Sequence, residues 1–108
     1  MKRISYNCAI FVCALVALTS NAQAQTDAIT ERNNCLKTFD AKARAKKVSV
    51  DSYKLAVEGA CAYEQKNARA LYQLSLELSP NQDYLVERFD QNYADLKAKM
   101  VTAYVMGD

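Results

Sequence analysis

Across 108 residues the chain has one proline, Pro80, and two glycines, Gly59 and Gly107. These are the residue types that most often end regular structure, so their scarcity leaves long stretches with nothing to stop a helix. Ala, Leu, Lys, Glu and Gln are abundant between them, and all are good helix formers. The expected fold class is all-α.

The breaks that do occur carry helix signals. In "KKVSVDSY", Lys46 and Lys47 suit the carbonyl-rich end of one helix, and Ser49 suits the cap of the next with Asp51 in its first turn. Val48 and Tyr53 flank that start at the spacing of a hydrophobic staple. In "LSPNQD", Ser79 reads as a cap, Pro80 as the first helical residue and Gln82 as the partner in a capping box. Three helices are predicted, over about 27–47, 49–78 and 80–105.

Apolar spacing assigns their faces. The third helix has one stripe, Leu85, Phe89, Tyr93, Leu96, Met100 and Tyr104, in steps of three and four. The first has Ile29, Leu36, Phe39 and Ala43 on one side. The second has two adjacent stripes: Tyr53, Val57, Ala60, Cys61, Ala68, Leu71 and Leu78, then Ala56, Tyr63, Ala70 and Leu74. A broad apolar arc makes it the middle member of a three-helix, up-down-up bundle.

The N-terminus reads differently. Lys2 and Arg3 precede an apolar run from Cys8 to Leu18, and Ala22-Gln23-Ala24 is a small-x-small cleavage signal. Residues 1–24 therefore read as a cleavable signal peptide and 25–108 as a single helical domain. The apolar run is shorter than the roughly 20 residues that a membrane-spanning helix needs, so no integral span is expected in the mature form. Cleavage removes Lys2 and Arg3 and leaves twelve basic and twelve acidic residues. A neutral chain has no overall charge with which to recruit nucleic acid.

Cleavage also removes Cys8 and Cys13, leaving Cys35 and Cys61. An even pair in a periplasmic or secreted protein reads as a disulfide. With a turn centred near Ser49, the two cysteines stand ~21 and ~18 Å above it in an antiparallel hairpin. The same register sets Arg32 opposite Glu64, one turn beyond the bridge, as a structural ion pair. In the alternative reading both side chains extend to water.

Little else carries chemistry. The chain has no histidine, which excludes Ser–His–Asp and Cys–His nucleophile systems. It has no glycine-rich phosphate loop, and no cofactor or metal is expected. Glu87 and Asp90 are three apart on one helix, a spacing also common among solvated carboxylates. The basic end of the first helix, with Lys42, Lys46 and Lys47, suits either dipole complementarity or contact with an acidic envelope partner. Tyr72 and Tyr84 fall outside the clear core positions and are candidate partner contacts, as are Leu55, Leu76, Val101 and Val105 if they cluster.

The "CL…AC" arrangement with its helical tail resembles small exported two-cysteine helical proteins of Gram-negative bacteria. Acid-stress periplasmic chaperones share the small, helical, single-disulfide plan, with a wider cysteine spacing. With no catalytic constellation in the residues, the expectation is a periplasmic or secreted protein with a binding or interaction role, with self-association as one form of it. The competing expectation is a carboxylate-dependent hydrolase or metal-dependent enzyme.

Overall fold

The computed structural model describes the backbone of residues 2–108 and the side chains of residues 23–108. Four helices follow one another: α1 (Lys2–Lys46), α2 (Val50–Gly59), α3 (Ala62–Ser75) and α4 (Gln82–Met106). There is no strand among the described residues. The all-α expectation holds. Three helices become four because the predicted middle helix is broken in two.

Helix α1 does not begin near residue 27 but runs through that position. Nothing in "NAQAQTDA" interrupts it, and Gln23 Nε2 donates to Asp27 Oδ1 at 2.9 Å, bridging one helical turn at the expected start. The apolar run 8–18, Cys8 and Cys13, which carry the signal-peptide reading, lie outside the residues whose side chains are described. Among the described residues no helix is long and apolar enough to cross a membrane.

The turn into α2 forms as its sequence dictates. The Lys47 amide donates to the Arg44 carbonyl at 3.2 Å, and the Val48 amide donates to the Ala43 carbonyl at 3.3 Å. These paired bonds close the end of α1 with Lys47 left-handed, at φ 53°. Ser49 then caps α2: its side chain accepts from the Ser52 amide at 3.1 Å. Val48 packs against the cluster that holds Tyr53, which completes the staple.

Paired contacts fix the directions. Cys35 meets Cys61, and Asp40 meets Tyr53, so α1 is antiparallel to α2 and α3. Tyr53 stacks on Tyr104 at 4.1 Å, Lys97 Nζ bonds Glu58 at 2.8 Å and Arg69 bonds Asp90 at 2.9 Å, so α4 returns antiparallel to them and parallel to α1. The up-down-up path survives with a jointed middle element. Its core has two clusters. One is Leu36, Cys61 and Tyr93, with Leu96 and Met100 against it. The other is Ala43, Tyr53 and Val57, with Phe39, Val101 and Tyr104 against it.

The joint lies at Cys61, whose backbone (φ −126°, ψ 32°) leaves the helical region. The break changes the helical phase, and the predicted second stripe loses its partner. Tyr63 and Leu74 are exposed, as are Ala56 and Ala70. Ala60 and Leu78, from the first stripe, are exposed as well. The start of α4 is also corrected. Ser79 forms no capping box; its amide donates to the Leu76 carbonyl at 2.9 Å and tightens the turn. Asn81 is the cap residue and makes no side-chain cap bond. The turn that closes α3 takes the Ser79 amide that a capping box would have used, and α4 begins at Gln82, two residues beyond Pro80. The α4 stripe itself is as predicted, every member buried or half-buried, with Val86 as a buried addition.

Candidate functional site

Among the described residues Arg32 is the one charged side chain that is buried, at 9% exposure. It sits on the inner face of α1, one turn before the disulfide. Its Nη1 donates to Gln65 Oε1 at 3.0 Å, and its Nε and Nη2 donate to Asn33 Oδ1 at 3.1 and 2.9 Å. The guanidinium carbon also lies 5.8 Å from the Phe89 ring centroid and 5.3 Å from that of Tyr93. Two neutral acceptors and two aromatic faces therefore take the place of a counter-ion. Burial pulls the Arg32 pKa below its ordinary value, while Tyr93 acts in the opposite direction.

The expected Arg32–Glu64 ion pair is absent, and the reason is the joint at Cys61. Each residue of a helix turns by about 100°. Once Cys61 leaves the helical conformation, Gln65 faces Arg32. The Glu64 carboxylate instead comes within 4.8 Å of both cysteine sulfurs. The right turn was legible from the spacing, and the right residue was not.

Arg32 lines a cavity of about 500 Å³ between α1 and α4. Leu36, Leu96, Met100 and Ala103 give it an apolar floor. Asn33, Lys37, Asp40, Arg44 and Asp108 complete its polar walls. These charges are not equivalent. Asp40 is held on both sides, by Arg44 Nε at 2.9 Å and by the Tyr53 hydroxyl at 2.7 Å. Arg44 also lies over the Tyr104 ring at 5.6 Å. Lys37 is exposed and, among the described residues, has no ion-pair partner. The Arg32–Lys37 end of the groove thus offers two cations without a carboxylate, and the Asp40–Arg44 end is internally neutralised.

At the neutralised end the packing is tight. Tyr53 is fully buried between Phe39, at 5.2 Å, and Tyr104. Burial raises its pKa, and the hydrogen bond to Asp40 adds to the effect. The Tyr104 hydroxyl donates to the Val48 carbonyl, tying α4 to the α1–α2 turn.

The other expected site residues are dispersed. Cys35 and Cys61 form the disulfide, with Cα atoms 6.0 Å apart. Lys42, Lys46 and Lys47 are exposed at the far end of α1. Tyr72 stacks on Phe89 at 4.6 Å and so has a packing role, whereas Tyr84 is 61% exposed. Asp90 is engaged by Arg69, leaving Glu87 exposed beside it. Among the described residues, the one set of three Cys, Asp or Glu side chains with converging ligand atoms is Cys35, Cys61 and Glu64. The groove itself had a sequence signal: an arginine on an apolar helix face, one turn from a cysteine. The α4 wall of that groove had none, because Leu96, Met100 and Ala103 lie more than 50 positions beyond the α1 residues they face.

Comparison with protein-family models, with curated proteins and with solved structures finds no match for this chain.

Proposed function

We propose that this chain is an exported, non-catalytic binding protein, periplasmic or secreted, whose α1–α4 groove takes a small monoanion with an apolar body. The observation that carries this reading is Arg32, a buried guanidinium that has no carboxylate partner among the described residues and stands at the edge of an apolar floor. Burying a cation without a counter-ion is costly, and an incoming carboxylate would relieve that cost. A volume of about 500 Å³ is within the range of small-molecule sites. Lys37 adds a second cation at the same end. Asp108 at the other end disfavours a ligand with a second anionic group. The disulfide supports an oxidising compartment, in keeping with the export signal in the sequence.

Isothermal titration with decanoate, decanol and decylammonium, all below their micellar range, tests the proposal. Decanoate is expected to bind one to one, decanol more weakly and decylammonium not at all. Arg32→Gln is expected to weaken decanoate binding by about tenfold or more, as for the loss of a charge-assisted bond. The exposed variant Lys37→Gln, which leaves the core untouched, should lower the affinity by a smaller factor. Equal binding of all three headgroups, or no binding of decanoate, would overturn the assignment.

A further inference from the structure

We propose that reduction converts the Cys35–Cys61 disulfide into a site for a thiophilic divalent cation, Zn²⁺ being the type, with Cys35, Cys61 and Glu64 as its protein ligands. The two sulfurs and a Glu64 carboxylate oxygen already lie within 4.8 Å of one another. Two thiolates and one carboxylate suit zinc, and three protein ligands leave its fourth position open. Cys61 and Glu64 stand three apart where α3 begins, and Cys35 faces them from α1. Metal–sulfur distances of about 2.3 Å and metal–oxygen distances of about 2.0 Å put the donor atoms roughly 3.5–4 Å apart. The sulfurs need only separate by side-chain rotation, since their Cα atoms are 6.0 Å apart.

Two features of the surroundings point the same way. Glu64 is half-buried and, among the described residues, makes no hydrogen bond or ion pair, so its carboxylate is uncommitted. Tyr93, 7% exposed, packs in the cluster that contains Cys61 and Cys35, and its buried hydroxyl has no hydrogen-bond partner. A thiolate sulfur would supply the missing acceptor. There is also a way in. Cys35 opens onto a hollow of about 520 Å³ that it shares with Thr38, Phe39, Lys42, Ala56 and Ala60.

The chemistry balances with a dithiol as reductant. Its two electrons and two protons pass to the protein disulfide, giving two thiols, and the dithiol closes to its own disulfide. The cation then displaces the two thiol protons, so binding strengthens as pH rises. The metal takes over the cross-link between α1 and α3 when the covalent one is gone. This inference does not depend on the ligand groove.

The test uses the full chain, reduced with a dithiol, desalted without oxygen and titrated with Co²⁺. Sulfur-to-cobalt charge-transfer absorption should grow to a one-to-one end point, disappear on addition of Zn²⁺ and be absent from the oxidised protein. Zn²⁺ should raise the melting temperature of the reduced protein. Glu64→Gln should weaken cobalt binding by about tenfold or more, and Cys35→Ser should abolish the absorption. If reduction lowers the helical circular dichroism, Zn²⁺ should restore it. Absence of the charge-transfer bands, equal affinity in Glu64→Gln, or no effect of Zn²⁺ on melting or helicity would overturn the proposal.

Discussion

Two single residues hold positions that general chemistry would not choose for them. Lys47 is left-handed, at φ 53°, where a side chain crowds the backbone and glycine is the usual occupant. Lys47→Gly is expected to raise stability by about 0.5–1 kcal/mol in urea denaturation. Tyr93 buries a hydroxyl without a partner. In the oxidised protein, Tyr93→Phe is expected to be neutral or to stabilise by about 1 kcal/mol, since it removes the desolvation cost and keeps the ring beneath Arg32 and Lys97. A melting temperature clearly lowered by this variant would mean that the hydroxyl makes a bond after all. Neither position announces itself in the sequence. A lysine at a helix end reads as dipole complementarity, and a tyrosine on an apolar stripe reads as core. Only the backbone angle and the surrounding atoms separate these roles from the ordinary ones.

At the level of helices, local rules worked where the controlling groups are neighbours in the chain. Ser49 caps α2 as its position before "VDSY" implies, and Ser49→Ala is expected to cost about 1 kcal/mol in thermal or urea unfolding. The apolar stripe of α4 is buried because three- and four-residue spacing suffices to define a helix face. Local rules failed where a distant element competes. Cys61, two residues after Gly59, leaves the helix where it is bridged to α1. Ser79 has the capping sequence, but its amide is taken by the turn that closes α3. Leu74 and Leu78 keep helical spacing, yet no element covers them and they remain exposed.

For the molecule as a whole, the cross-link and the tyrosines set the conditions under which the fold persists. Replacing both Cys35 and Cys61 with Ser is expected to cost about 3.5 kcal/mol, from the entropy of a loop closed over a separation of 26 residues. Urea midpoints of the oxidised and variant proteins check it. A second expectation concerns alkali. Burial raises the pKa of Tyr53 and of Tyr93 in the folded state above the ordinary value near 10. The unfolded chain therefore loses these protons first. Their contribution is complete below about pH 10 and is lost as pH rises through the folded values. Stability measured by urea midpoint should fall steeply above pH 10, and less steeply in Tyr53→Phe, which removes the more strongly shifted group.

The amino-acid sequence by itself determined the helical class, the hairpin turn at Ser49, the apolar face of α4 and the level at which Cys35 meets Cys61. All of these follow from spacing along one chain at 1.5 Å and about 100° per residue. Tertiary structure decided the joint at Cys61, the choice of Gln65 over Glu64 as the acceptor for Arg32, the carboxylate set beside the sulfurs and the cavity between α1 and α4. Each of these depends on how one helix is rotated against another. A shift of a single residue turns a side chain through a quarter of a circle or more, a difference that sequence spacing does not resolve and packing does.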